Sequence, residues 1–550
     1  MNLKELADVM FPDVHETVED IEKRYPKRNL KEGAEVTRFA PSPTGFVHMG
    51  SLLSAFEDFK AAKDTDGIFY LRIEDTDSER SVENGISGII KDLADFDIVP
   101  DEGMISETES IGEYGPYIQS ERKDIYHVYA KDLVLKGLAY PCFCTKEELD
   151  ETRSIQELNK ERIGYYGSYA KCRCLSCEEA INKIKNGEKY VVRFKSPGDF
   201  NNKIVLDDRM RGKIEFPEND MDIVIIKSND RLPTYHFAHA IDDHLMQTTT
   251  VMRGEEWIPS YPIHQQLFKV LGFKEPRYAH LGLVMKVDEN GTRRKLSKRK
   301  DPEASVGFYH EKGIPSEATK LYLMTIANSN FEEWLTNNPL GKLSDFKMDF
   351  SKMSESGTLF DVEKLFNITK NYISHMTSEE LYKESLPWMK EFDEELYELM
   401  VKYPEYTKQI FSIERYIEKP RKDYSSFSDI RNGIWYMYDE LFTNPTYEYQ
   451  KINDIKEIKE ILKTYFDNYY DINDDKDTWF SKMKEMAESL GYASNMKDYK
   501  KNPENYKGNI ADLSTVIRVS ITSKCMTPDL YEILKLLGKE RINKRISLIK

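Results

Sequence analysis

Two short runs, nearly 250 residues apart, carry side chains suited to a triphosphate. They are His48-Met49-Gly50-Ser51 and Lys295-Leu296-Ser297-Lys298-Arg299. A histidine at a helix start can hydrogen-bond phosphate oxygens, beside backbone N–H groups that no helical carbonyl accepts. A missing side chain at Gly50 lets a nucleotide lie flat against the backbone. Lys295 and Lys298 can neutralise charge growing on a departing pyrophosphate, which stabilises the transition state more than the bound nucleotide. Together the runs suit adenylation, in which a carboxylate attacks the α-phosphate of ATP in line. That reaction needs no proton shuttle, so the lack of a Ser-His-Asp or paired-carboxylate arrangement leaves no gap. On this reading His48, Gly50, Lys295 and Lys298 are catalytic, and Ser51, Ser297 and Arg299 join them in binding ATP. Either run alone says little, because a lone His-x-Gly is mostly chance and a basic loop is usually a solvated face. Neither Gly-x-Gly-x-x-Gly after a strand nor Gly-x-x-x-x-Gly-Lys-Ser/Thr occurs, which disfavours a dinucleotide fold and a P-loop.

The elements that must position these runs are legible nearby. Val36 to Ala40 reads as the end of a strand; Pro41 and Pro43 then forbid a helix, and Gly45 supplies a turn. From His48 to about Lys63 the apolar Leu52, Leu53, Phe56 and Phe59 recur at helical spacing. Gly67 leads into a second strand, Ile68-Phe69-Tyr70-Leu71, that spills into Arg72-Ile73-Glu74-Asp75-Thr76-Asp77. Strand, helix, strand in about 40 residues is a βαβ unit, with parallel pairing and a ligand at the strands' C-terminal ends. Arg38 and Glu74 both lie at those ends.

Residues 119–232 change character. Helical segments (Asp124 to Leu138, Lys146 to Arg162) and β-type stretches (Tyr190 to Lys195, Ile223 to Ile226) surround five of the six cysteines, which marks an inserted module. The βα pattern resumes at Pro233 and runs to Trp257. A basic loop follows from Lys286 to Lys300, with seven basic residues against Asp288 and Glu289. From about residue 315 the chain is helical. Its last helix reads with Thr527 as N-cap, Pro528 at the first position and Gly538 as the stop.

Composition bounds the rest. At 550 residues the chain holds three or more domains. A net charge of −17 disfavours non-specific coating of nucleic acid without excluding a local basic face. The first residues lack the apolar core of a signal peptide, and no run approaches the ~18 apolar residues of a membrane span. The clustered cysteines look reduced and metal-type rather than a disulfide framework. These features point to a cytoplasmic protein.

Six runs in order carry a resemblance. They are Arg38-Phe39-Ala40-Pro41-Ser42-Pro43-Thr44-Gly45 with His48-Met49-Gly50, Leu71-Arg72-Ile73-Glu74-Asp75-Thr76-Asp77, Pro233-Thr234-Tyr235-His236-Phe237-Ala238, Asp242-Asp243-His244-Leu245-Met246, Arg253-Gly254-Glu255-Glu256-Trp257 and Lys295-Leu296-Ser297-Lys298-Arg299. They closely resemble the class I glutamyl-tRNA synthetases, from about residue 36 to the C-terminus. The resemblance implies an α/β fold: a Rossmann-like parallel-sheet core, an inserted α+β module and an all-α C-terminal anticodon-binding region of the bacterial type. It divides the chain into an extension (1–35), the core's first half (36–118), an inserted acceptor-end module (119–232), the core's second half (233–286), a basic loop with a stem-contact region (287–375), and the anticodon-binding region (376–550). It implies glutamate–tRNA ligase activity with L-glutamate, Mg2+-bound ATP and tRNA(Glu), as a monomer, with tRNA bound before activation. The rivals are an enzyme that also charges tRNA(Gln) and a non-catalytic tRNA-binding paralogue.

Roles follow for matching residues. Arg38 would pair with the substrate's side-chain carboxylate, while Ser42 and Glu74 hold its α-amino and carboxyl ends. Tyr235 and Arg253 would line the same pocket, as would His239, where many relatives carry Asn or an apolar residue. A bidentate arginine is the natural selector of a carboxylate over an amide. Cys142-x-Cys144 and Cys172-x-Cys174, with 27 residues between, resemble a structural zinc site of some family members. Cys177 competes as a ligand, and reduced free thiols are the alternative. From residue 505 to 550 nine Lys or Arg oppose four Asp or Glu, the local surplus that phosphate contacts need.

Overall fold

Strand β1 (Val36–Phe39) is buried at every position, as an inner parallel strand must be. Its two polar residues are therefore satisfied from inside: Thr37 Oγ1 donates to Asp58 O at 2.6 Å, and Arg38 reaches Asp243 and the Met252 carbonyl. The computed structural model describes residues 3–43, 47–77, 82–297, 299–339, 341–355 and 357–549. Gly45 and Lys298 lie outside the described residues. The chain divides into two units, 1–308 with 320–361, and 309–319 with 362–550.

In the first unit, helix α1 (Met49–Lys63) leads from β1 to β2 (Ile68–Leu71), and the two strands pair in parallel, Arg38 opposite Tyr70. Glu102–Met104 extends this sheet in parallel beyond β2, and Ser110–Ile111 adds an antiparallel edge. The second half of the core repeats the pattern. Helix α2 (Tyr235–Leu245) precedes β3 (Thr250–Gly254), and helix α3 (Tyr261–Leu271) connects β3 to its parallel neighbour β4 (Arg277–Leu281). The Thr249 N–H donates to Val36 O at 2.9 Å, bringing the start of β3 beside the start of β1. The C-terminal ends of β1, β2 and β3 thus share one side. β5 (Val284–Val287) pairs antiparallel with β6 (Arg293–Lys295) and parallel with Thr358–Leu359.

The inserted stretch carries a three-stranded antiparallel sheet of Ala139–Cys142, Val191–Phe194 and Val224–Ile226, flanked by helices Lys146–Leu158 and Cys177–Lys185. Its outline departs from the sequence reading in one respect. The hairpin Lys203–Asp208/Gly212–Pro217 falls within 119–232, yet Asp208 pairs with Tyr278 and so joins the core sheet beside β4. Pairing across 70 residues is a tertiary choice that local pattern does not carry.

The second unit is helical and packs around one core that includes Ile373, Leu381, Tyr465, Ile517 and Leu534. The helix Val362–His375, grouped with the stem-contact stretch by sequence, packs with this unit, and its Ile373 is buried in that core. The terminal helix also shifts. Its N-cap is Asp529, accepting the Glu532 N–H at 3.1 Å, two residues beyond Thr527. Gly538 does interrupt it, at φ 73°, before a further run to Ile546.

Candidate active site

The N-terminus of α1 is capped by His48 itself. Its Nδ1 accepts the Ser51 N–H at 3.0 Å, so the ring proton belongs on Nε2, which stands 3.1 Å from Ser51 Oγ. The ring is exposed and its Nε2–H can donate to an anion over the helix start. Gly50 serves this fold-back first. A Cβ there would stand 3.1 Å and 3.2 Å from the His48 ring, so glycine is what lets the imidazole lie over the first turn.

One cavity of about 780 Å3 gathers the two predicted half-sites. Arg38, Ser42, Glu74, Tyr235 and Arg253 line it together with His48, Gly50, Ser51 and Lys295. Ser297 and Arg299 do not reach its wall, and His239 does not either. His239 is fully buried, with its ring stacked parallel to Tyr235 one helical turn away and its Nε2 3.1 Å from the Tyr278 hydroxyl. Placement at i and i+4 stacks the two rings on one helix face, with Tyr235 half-buried on the cavity wall and His239 buried behind it. Trp257 packs on Tyr235 with ring centroids 4.1 Å apart and completes that wall.

Behind Arg38 lies a charge network whose pairings no sequence motif records. Asp243 receives Arg38 Nε at 3.3 Å and Arg72 Nη1 at 2.7 Å, while Arg72 Nη2 donates to Glu74 at 3.0 Å. Asp242 takes Arg122, Gln119 and Tyr126 at 2.7, 2.9 and 2.8 Å. Three guanidinium groups thus face three carboxylates, which is how buried charge is tolerated. Burial alone would raise the Asp243 carboxyl, but Arg38 and Arg72 outweigh it and hold it well below the carboxylate range. Arg72 and Asp243 each belong to one of the six runs, yet their pairing spans 171 residues.

The basic loop is organised by a residue just past its end. Arg294 grips buried Asp301 with two bonds of 2.6 and 2.7 Å and also donates to Asp288 at 2.5 Å. Asp301 accepts the Ser297 N–H at 2.9 Å, and Lys286 pairs with Glu303 and Asp301. Two of the seven basic residues therefore shape the loop, and among the described residues of the loop Lys295 is the basic one placed on the cavity wall.

Glu57 and Asp58 were missed. They lie on the face of α1 that carries Gly50, Leu53 and Ser54 to the cavity, at the i, i+3, i+4, i+7, i+8 spacing that could have flagged them. Both are nearly inaccessible, and Glu57 Oε2 and both Asp58 carboxylate oxygens lack hydrogen-bond partners. Burial pushes the Glu57 carboxyl up to about 8.

In the inserted module, Cys142, Cys144 and Cys172 bring their sulfurs within 4.8 Å of one another. The Tyr165 hydroxyl touches Cys142 and Cys144 Sγ at 3.4 and 3.3 Å and accepts the Cys172 N–H at 3.0 Å. Cys174 is not part of this cluster; it is exposed. Lys171–Cys174 forms a 3-10 turn, with three residues per turn, so positions 172 and 174 cannot share a face.

Comparison with known proteins bears on this geometry. Residues 35–384 match the family described as tRNA synthetases class I (E and Q), catalytic domain, and residues 380–549 match the anticodon binding domain family. A glutamate–tRNA ligase of Clostridium perfringens (strain 13 / Type A) is 48% identical over 549 residues, covering 99% of this chain and 100% of the relative. The chain belongs to the class I glutamyl-tRNA synthetase family. A further glutamate–tRNA ligase, from Acetivibrio thermocellus, is 46% identical over 549 residues and covers 99% of both chains. A crystal structure of a glutamate tRNA ligase from Elizabethkingia meningosepticum in complex with its amino acid has a TM-score of 0.73 at 27% identity, covering 94% of this chain and 100% of that one. The range matched as catalytic covers most of the first unit and runs on to residue 384 in the second, and the range matched as anticodon-binding lies wholly in the second. Among the described residues no helix is long and apolar enough to cross a membrane.

Proposed function

We propose that the protein is a glutamate–tRNA ligase whose cavity joins a carboxylate pocket to a triphosphate site. The observation that carries this is the shared wall: Arg38, Glu74, Tyr235 and Arg253 open on the same space as His48, Gly50 and Lys295. Arg38 and Arg253 would take the glutamate side chain, with Ser42 and Glu74 facing its α-amino and carboxyl groups. The α-carboxylate oxygen attacks the α-phosphorus of Mg2+-bound ATP, the bond to the β-phosphate bridging oxygen breaks, and pyrophosphate leaves with its charge against His48 Nε2–H, Lys295 and Lys298. The ribose hydroxyl of the tRNA 3′-terminal adenosine then attacks the glutamyl carbonyl, and AMP departs. Holding the attacking oxygen and the phosphorus in one rigid cavity supplies much of the rate. His239 supports Tyr235 from beneath rather than touching substrate.

In this reading the helical region binds the anticodon stem and loop, the enzyme acts as a cytoplasmic monomer, and tRNA precedes activation. ATP–pyrophosphate exchange with glutamate, run with and without tRNA, tests it; absence of exchange in both would overturn it. Charging of purified tRNA(Glu) and tRNA(Gln) separates a tRNA(Glu)-specific enzyme from one that serves both.

Cys142, Cys144 and Cys172 would hold a structural zinc ion. The Cys144 and Cys172 sulfurs stand 3.6 Å apart, close to the edge of a tetrahedron with Zn–S bonds of about 2.3 Å. Cys174, exposed and outside this group of sulfurs, is not needed in that reading. Metal content of the purified protein tests the site, and less than about half an equivalent would count against it.

A further inference from the structure

Arg253 differs from Arg38 on the cavity wall and from Arg72 behind it in what holds it. Arg38 and Arg72 rest on Asp243, a carboxylate. Arg253, almost fully buried, rests on two imidazoles: its Nε donates to His280 Nε2 at 3.1 Å, and its Nη1 lies 3.0 Å from His264 Nδ1. Its Nη2 has no hydrogen-bond partner.

A guanidinium has five N–H donors and no acceptor. Both contacts therefore require a lone pair on the imidazole nitrogen, and both rings must be neutral. The tautomers follow in sequence. His280 carries its proton on Nδ1, which donates to Asp208 Oδ2 at 2.7 Å. His264 carries its proton on Nε2, 2.8 Å from His236 Nδ1, so His236 accepts there and is protonated on Nε2. Burial lowers the basicity of His236, His264 and His280 alike, which agrees with neutral rings. Two neutral acceptors orient the guanidinium without cancelling its charge, and the unpartnered Nη2 is left for an anionic ligand.

We infer that His264 and His280 are positioning residues for Arg253, presenting its uncompensated charge to the substrate carboxylate through two imidazole lone pairs, with Asp208 orienting His280. The inference rests on the reading of Arg253 as a glutamate-binding residue. Asp208 comes from the hairpin Lys203–Asp208/Gly212–Pro217, so the strand pairing that joins this hairpin to the core also sets the ring that holds the arginine.

The test is ATP–pyrophosphate exchange with tRNA present, measuring KM separately for glutamate and ATP. His264→Leu removes the lone pair; His264→Asn restores an acceptor near the Nδ1 position. His264→Leu is expected to raise the glutamate KM about tenfold or more with the ATP KM within about twofold, and His264→Asn to bring the glutamate KM back within about threefold of the parent. Should His264→Leu fail to fold, His280→Leu against His280→Gln is read in the same way, since the glutamine oxygen replaces Nε2. Equal glutamate KM in the leucine variant and the parent would overturn the inference. So would equal impairment of the leucine and amide variants, or parallel rises for glutamate and ATP. Arg253→Gln separates the two levels. An unchanged glutamate KM in Arg253→Gln removes the reading of Arg253, whereas a raised KM there with His264→Leu unchanged removes this inference alone.

Discussion

The His48 imidazole lies over Gly50 so closely that a methyl group at residue 50 would stand 3.1 Å from it. Alanine at a helix position normally gains about 0.5–1 kcal/mol over glycine. Here it crowds the ring that accepts the Ser51 N–H, which must give by a few tenths of an ångström. Gly50→Ala should therefore keep its melting temperature within about 2 °C while kcat of ATP–pyrophosphate exchange falls about tenfold or more. Parent-like kcat in a folded Gly50→Ala protein would show that the ring position is unimportant.

Asp301 ties Arg294, Lys286 and the Ser297 backbone into one arrangement and sends Lys295 to the cavity. Asp301→Asn weakens the two-pronged bond and frees the loop. Its kcat should drop at least about tenfold with little change in the glutamate KM, since it acts on the triphosphate half. Asp288→Asn, at the exposed end of the same arginine, should change kcat less than about threefold. Equal effects of the two substitutions would count against Asp301 as the organiser.

Glu57 is buried without a partner for Oε2, and its carboxyl is pushed up to about 8 from an ordinary 4.5. Between those values the folded protein keeps a proton that the unfolded chain has released. The unfolded state binds fewer protons there, so stability declines as pH rises from about 4.5 to about 8. Glu57→Gln removes this penalty. Thermal melts at pH 5 and pH 8 should show a gain for the variant that is larger at pH 8; an equal gain at both, or a loss at pH 8, would refute the assignment.

The cysteine cluster makes opposite forecasts for two neighbours. Cys172→Ser should lower bound zinc below about half an equivalent and lower the melting temperature, because one thiolate of the shell is gone. Cys174→Ser should retain about one equivalent. Loss of metal in both variants would mean that the turn Lys171–Cys174 rearranges to bring Cys174 inward.

Much of the molecule was legible in the chain itself. The helix after His48 and the strand into Glu74 are local patterns of period and breaker, and they form where expected. So does Gly538 as a helix break, and three of the four cysteines read as one set bring their sulfurs together. The motifs also named residues that share the cavity wall. What the chain alone did not carry was the set of partners behind that wall. Asp243 between Arg38 and Arg72, Asp208 on His280 and the two imidazoles on Arg253 join residues up to 205 positions apart, chosen by which strands become neighbours. Local sequence sets periodicity and turns because those depend on adjacent backbone atoms. The neighbours of a buried charge are set by topology, because only the closed fold excludes the water that would otherwise serve every charge equally. The exposure of Cys174 and the burial of His239 belong to the same class: both turn on a fraction of a helical turn that the spacing of letters does not record.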